Sequence, residues 1–291
     1  MRANRVIGVD LGGTKILAAV VDRSGKVHER VERPTVTTSQ AALLDELADL
    51  ARELPNDDVA AVGFGIPSRI DHENGIALGA VNIPIQDVPF VDEMQRRLDV
   101  PVAMENDASC AAYAEYTFGV GSGTREFLML TLGTGVGGGV VADGRLFRKY
   151  TELGHMVIVE DGEPCQGACS GRGHVEAYCS GRAADRLARE ALGAQATARD
   201  LVEKKHPVLE QIGHHLGVAL GSLVNVFGST RIAIGGGFGV AAFELLMPAA
   251  RLAVLREALP PSGQSVEIER AQLGADAGVI GAALVAFEAL Q

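Results

Sequence analysis

The chain carries no run of lysine and arginine, and its formal net charge is −11 over 291 residues. A general nucleic-acid binder shows a basic face, so no nucleic-acid partner is expected, and the acidity speaks only for solubility. A phosphorylated ligand must then be held locally, by backbone amides, a metal ion or one or two cations. The opening residues, MRANRVIGVDLGG, hold no apolar stretch of signal-peptide length. No run is read as approaching the ~20 apolar residues of a membrane span. The expectation is a cytoplasmic protein without a membrane partner. Cysteine is scarce: Cys110, Cys165, Cys169 and Cys179 are all there are. In a reducing compartment they are metal ligands or packed thiols rather than disulfides. There is no G-x-x-x-x-G-K-S/T sequence, which excludes a P-loop nucleotide site.

Apolar residues are plentiful, at 47% against 22% charged, so the chain can build cores and is not disordered. Its length suits two ordinary domains. The 36 glycines fall in clusters at apparent strand ends, where backbone must approach a ligand closely.

Strands are predicted at Val6–Asp10, Lys15–Asp22, Lys26–Glu32, Val59–Ile66 and Val102–Glu105. Gln40–Leu54, with Leu43, Leu44, Leu47 and Leu50 on one stripe, is predicted helical, as are Val91–Leu98 and Asp107–Phe118. The pattern then restarts. Glu126–Leu132 reads as a strand, Gly133–Gly139 as a glycine loop and Val140–Ala142 as strand again. Helical stretches follow at Val175–Leu192 and Val208–Val226, then a strand at Arg231–Ile234 and a last helix at Gly278–Ala289. Alternating strands and helices imply an α/β protein. The repeat implies two lobes: 1–110 with 277–291 returning to it, and 111–276. A cleft between lobes is the default ligand site.

The repeated feature is a hairpin whose turn can cradle phosphate. In the first copy, Gly12 and Gly13 let amides converge on an anion, Thr14 adds a hydroxyl and Lys15 a charge. Asp10 would hold Mg²⁺ through water. Taken alone, these residues equally suit a plain hairpin turn. The second copy, Leu132–Gly139, matches G-x-G-x-x-G at Gly133, Gly135 and Gly138. A dinucleotide fingerprint must open a helix, whereas Val140-Val141 resumes a strand, so that reading is rejected. A second phosphate hairpin remains, with Thr131 and Thr134 as donors. A third cluster, Gly235-Gly236-Gly237, suits either a flat ring such as adenine or a plain strand-to-helix turn.

The ordered set Asp10-x-Gly-Gly-Thr, Glu105-Asn-Asp107, Leu132-Gly-Thr-Gly, Glu152-Leu-Gly-His155, Gly235-Gly-Gly and Ala277-Gly-x-x-Gly-Ala282 resembles the ROK family over essentially the whole chain. That family holds bacterial glucokinases, fructokinases, N-acetylmannosamine kinases and sugar-responsive repressors. The resemblance implies a two-lobed, actin-like ATPase (ribonuclease H-like) fold, ATP and Mg²⁺ as cofactors and a hexose substrate. It gives Asp107 the role of general base and Asn106 a sugar contact; the alternative for Asp107 is a helix N-cap. It places sugar-contacting groups at Glu152, His155 and Glu176, an exposed helical glutamate being the alternative for the last. Ser68-Arg69 stands where many members have Pro-Gly in a loop bordering the sugar, which leaves the sugar's identity open. Asn82 lies in the same region.

The family's zinc pattern is C-x-C-G-x-x-G-C with the E-x-G-H histidine as fourth ligand. This chain departs from it twice, with Cys165-x-x-x-Cys169 spacing and His174 in place of the last cysteine. Zinc accepts two thiolates and two imidazoles, so His155, Cys165, Cys169 and His174 are the expected structural Zn²⁺ ligands. The alternative is two free thiols in a loop. Cys110 and Cys179 lie on helical patterns as packed thiols.

The expected function is an ATP-dependent glucokinase forming glucose 6-phosphate, in a homodimer. Alternatives are a kinase for fructose, mannose, allose or N-acetylmannosamine, use of polyphosphate as donor, and a non-catalytic sugar-sensing regulator. Only nine residues precede Asp10, so the DNA-binding segment of such regulators is not expected. A sugar-independent ATPase would share the hairpins but leave the Glu152/His155/Cys cluster unexplained.

Overall fold

A computed structural model describes residues 4–55, 59–80, 82–167 and 169–290. The chain forms two compact units, one of Met1–Phe118, Arg148–Tyr150 and Ala275–Gln291, the other of Gly119–Phe147 and Thr151–Gly274. The division falls after Phe118 rather than at Cys110, because the helix from Asp107 stays whole with the first unit.

The first unit opens with β1 (Arg5–Leu11), β2 (Lys15–Asp22) and β3 (Val27–Pro34). Helix α1 (Gln40–Glu53) follows, and the Ser39 hydroxyl accepts from the Ala42 amide to start it. Its leucine stripe is buried, as the spacing requires. Next come β4 (Val59–Ile66), the short strands β5 (Arg69–Asp71), β6 (Ile76–Gly79) and β7 (Gln86–Val88), α2 (Phe90–Leu98), β8 (Val102–Asn106) and α3 (Asp107–Phe118). The main sheet has the order β3-β2-β1-β4-β8, and β5-β6-β7 make a separate three-stranded sheet. The C-terminal helix (Ala277–Glu288) lies on β1 and β4 with backbone against backbone. A Cβ at Gly8 would stand 2.0 Å from the Val279 carbonyl oxygen, and one at Gly63 would stand 1.9 Å from that of Ala282. Only glycine permits this seat.

The second unit repeats the scheme. Its strands are β9 (Phe127–Leu132), β10 (Val136–Ala142) and β11 (Arg145–Leu146). Helices α4 (Val175–Cys179), α5 (Gly181–Leu192), α6 (Ala198–Glu203) and α7 (Val208–Phe227) follow. The unit closes with β12 (Arg231–Gly235), α8 (Gly237–Glu257), α9 (Ser262–Ser265) and β13 (Glu267–Arg270). Sheet order is β11-β10-β9-β12-β13. In both sheets a hairpin is extended by two parallel strands. The fold is thus α/β with two ribonuclease H-like sheets, the actin-like ATPase plan.

Three expectations need correction. The glycines at 137–139 are strand, not loop: they pair with Thr131, Leu130 and Met129, so the turn is confined to Gly133–Gly135. The stretch Val175–Leu192 is two helices, broken at Ser180, where the backbone is extended and the hydroxyl accepts from the Ala183 amide. One segment does approach membrane-span length. Helix α8 is long and apolar enough by composition, with a mean hydropathy of 1.7 in its best window. It packs on α7 and buries Phe238, Phe243, Leu246 and Met247 in the unit's own core, which is why it is apolar.

Candidate active site and metal centre

In the first unit, chemistry gathers at the carboxyl ends of parallel strands, where open α/β sheets bind ligands. Asp10, Gly65 and Glu105 are register neighbours across β1, β4 and β8. The Asp10 carboxyl packs on Gly278 at the start of the C-terminal helix; a Cβ at 278 would lie 2.3 Å from its Oδ2. Burial first, and the nearby Asp107 carboxylate second, push Asp10 up to about 7, against the opposing pull of Lys15.

Asp107 opens α3, and its Oδ1 accepts from the Ala108 amide at 2.8 Å. The capping role given as the alternative for Asp107 is filled by its neighbour. Asn106 Oδ1 accepts from the Ser109 amide at 3.1 Å, so the asparagine satisfies the first turn. The Asn106 amide nitrogen lies 3.5 Å from the Ser68 carbonyl.

Glu105 is buried and was given no role by sequence reasoning. Its carboxylate accepts from its neighbour's Asn106 amide at 2.9 Å, meets His72 Nε2 at 3.0 Å and meets Arg148 Nε at 3.3 Å. Arg148 also pairs with Glu288, which accepts from the Tyr113 hydroxyl at 2.5 Å. These partners offset the cost of burying the charge.

The Gly12–Thr14 turn is tied down by Thr35, whose hydroxyl donates to the Gly12 carbonyl at 2.7 Å and whose amide donates to the Thr14 carbonyl. Asn82 flanks it, its Cβ 3.5 Å from where a Gly13 Cβ would be. Lys15 places its ammonium 2.7 Å from Glu32 in an exposed pair. Ser68 is buried, its hydroxyl donating to the Gly79 carbonyl and accepting from the Gly79 amide, so it joins β5 to β6. Arg69 beside it is exposed.

In the second unit, Gly133–Gly135 form the turn between β9 and β10. Thr131, the residue before the end of β9, stands opposite Gly137, and Thr134 is exposed. A side chain at Gly133 would meet nothing within 4 Å. The third glycine cluster divides. A Cβ at Gly235 would stand 2.4 Å from Met129, and Gly236, at φ 78°, sits against the Leu132 backbone. Packing accounts for both, and Gly237 alone faces open space.

Glu152-Leu-Gly-His155 forms a single tight helical turn, with Glu152 and His155 exposed. Bridges pairing Val157 with His174 and Pro164 with Arg172 fold the following loop back on itself. They bring His155, Cys165, Cys169 and His174 together, all four ligand atoms within 4.8 Å of one another. The two Nδ1 atoms are 3.2 Å apart, Cys165 Sγ lies 3.7 Å from His155 Nδ1, and Cys169 Sγ lies 3.7 Å from His174 Nδ1. A tetrahedral zinc with ordinary bond lengths has edges of about 3.3 Å between nitrogens and about 3.6 Å between nitrogen and sulfur. The donor set therefore fits the ion. Burial pushes the Cys165 thiol up to about 11 in its absence. Cys110 and Cys179 are buried and far above the usual thiol range for the same reason.

Glu176, on α4, does not project into solvent. Its Oε2 accepts from the Val136 amide at 2.8 Å, beside the Gly133–Gly135 turn.

Duplicated sheets, paired glycine turns and a carboxylate couple at strand ends define an ATPase-fold protein of the actin-like class. Residues 6–289 match the ROK family, and the chain belongs to it. It is 32% identical to a glucokinase of Halalkalibacterium halodurans, over 94% of this chain and 92% of that one. Identity to a glucokinase of Streptomyces coelicolor is also 32%, over 97% of each. Among solved structures, a ROK hexokinase from Thermus thermophilus superposes with a TM-score of 0.84 at 33% identity, covering 98% of each chain. A ROK glucokinase from Streptomyces griseus in complex with glucose and AMPPNP gives 0.83 at 30% identity, over 98% of this chain and 99% of that one.

Proposed function

We propose that the chain is an ATP-dependent hexose kinase with glucose as its preferred substrate and O6 as the nucleophile. The carrying observation is the carboxylate couple of Asp10, near the carboxyl end of β1, and Asp107, which opens α3 directly after β8. A sugar alcohol is a poor nucleophile. Asp107 takes its proton as the phosphoryl group transfers. Asp10, pushed up to about 7 by burial and then by Asp107, is a group that a cation would ionise. Bound Mg²⁺ would neutralise phosphate charge, with Asp10 holding it through water. The Gly12–Thr14 and Gly133–Gly135 turns donate amides and hydroxyls to the phosphates. Asn106, Glu152, His155 and Glu176 bind sugar hydroxyls, with Ser68, Arg69 and Asn82 shaping that side.

His155, Cys165, Cys169 and His174 would hold a structural Zn²⁺, which fixes the loop carrying His155 and leading into α4. Both histidines turn Nδ1 to the cluster, so His155 keeps Nε2 for the sugar.

A coupled ADP-release assay across glucose, fructose, mannose, allose and N-acetylmannosamine tests the reading. Glucose is expected to turn over fastest, and Asp107→Ala to lower kcat by at least about a hundredfold while the protein stays folded. No ADP with any of these sugars, or undiminished turnover in the variant, would sink it.

A further inference from the structure

We infer that Glu176 positions the second phosphate turn through the Val136 amide, so that the sugar side and the nucleotide side of this unit are mechanically one element. The inference rests on the kinase reading above.

Val136 is the first residue of β10, directly after the Gly133–Gly135 turn. Both of its polar backbone groups meet elements assigned to the sugar. Its amide donates to Glu176 Oε2 at 2.8 Å. Its carbonyl is covered by Gly154 of the Glu152–His155 turn, where a Cβ would stand 2.1 Å away. The Glu176 carboxylate also abuts Gly135 through one oxygen, since a Cβ there would be 2.3 Å from Oε2. Beyond α4, the Gly181 amide donates to the Gly133 carbonyl at 2.7 Å. Helix α4 is thus stapled to the turn on both sides, Glu176 to Val136 and Gly181 to Gly133.

The staple is itself anchored from the metal loop. The Gln166 side-chain amide donates to the Glu176 carbonyl at 3.0 Å and to the Ser180 hydroxyl. Gln166 stands next to Cys165, so loop, helix and turn form one chain of contacts.

A glycine turn is entropically costly to order, and each fixed amide lowers the cost left for a phosphate to meet. A carboxylate accepting from an amide makes one of the stronger bonds available for this. A sugar that immobilises Glu176 therefore pre-orders the turn for phosphate, and phosphate on the turn pre-orders Glu176 for sugar. Such coupling is reciprocal by linkage.

Calorimetry separates the two directions. Mg·AMPPNP is titrated into sugar-free protein, and glucose into nucleotide-free protein. Glu176→Ala, which removes the acceptor, is expected to weaken nucleotide binding by about tenfold. Glu176→Gln keeps an acceptor oxygen, and is expected to restore nucleotide binding to within about twofold of the natural chain while still weakening glucose. Gly135→Ala, whose Cβ would displace the carboxylate, is expected to weaken glucose binding measured without nucleotide. If the natural chain binds no nucleotide, the kinase reading and this inference fall together. If it binds nucleotide, and both Glu176→Ala for nucleotide and Gly135→Ala for glucose match it, the inference alone is overturned. Should Glu176→Ala fail to fold, Glu176→Gln and Gly135→Ala decide the matter: unchanged glucose affinity in Gly135→Ala rejects the coupling.

Discussion

One buried carboxyl, Asp10, adds its own pH dependence to the protein's stability. Asp10 has an ordinary pKa of 3.8 when unfolded and is raised to about 7 in the fold, by burial and then by Asp107. Between those values the native state holds a proton that the unfolded chain has released. Asp10's contribution to the stability of the metal-free protein therefore falls as pH rises from about 4 to about 7 and levels off above. Thermal melts across that window should show the natural chain losing ground to Asp10→Asn, which has no such proton. Parallel melting curves would refute the assignment. Residue-level reading of the sequence singled out Asp10 and Asp107, and it named the four Cys/His residues that the fold brings together, because their chemistry is carried by type and local spacing. It gave no part to Glu105, His72 and Arg148. Nothing in a linear sequence marks a histidine, an arginine and a glutamate from separate segments as partners of one buried charge. Gly278 was visible in a motif, yet its contact with Asp10 is a fact of packing alone.

Elements were legible in proportion to their length and periodicity. The strands Lys15–Asp22 and Val59–Ile66 and the helix Asp107–Phe118 agree end for end with the apolar patterning. The three-residue strands β5 and β7, the four-residue β6 and β13 are too short to show a period, and they were missed. The triple glycine in β10 reads locally as loop; pairing with β9 overrides that preference. The 155–174 loop illustrates the opposite case. It has almost no regular structure, yet two isolated bridges suffice to converge its ligands. Protein purified with zinc present should carry one equivalent per chain by elemental analysis, and His174→Ala or Cys165→Ser should lower that stoichiometry. Cobalt in its place should show the intense visible bands of a tetrahedral thiolate site. A metal-free protein whose Cys165 and Cys169 both react freely with a thiol reagent would argue for loop thiols instead.

At the scale of the molecule, one unit is discontinuous and the other nearly continuous. The first is assembled from residues 1–118, the short return at Arg148–Tyr150 and the chain from Ala275 onward. The second runs from Gly119 to Gly274 with that single interruption. A chain ending at Gly274 should keep slow amide exchange in β9, β10 and β12 but lose it in β1 and β4, whose glycine seats at 8 and 63 would stand open to water. Equal protection in both sheets would contradict this account.

The seating of the C-terminal helix on Gly8 and Gly63 also imposes an order on biosynthesis. A ribosome delivers the earliest strands first and their cover last, so the opening sheet must wait, half-dressed, while everything up to Gly274 is translated. The later-made half can finish first, and the half translated earlier is completed only once the helix that follows Gly274 has emerged.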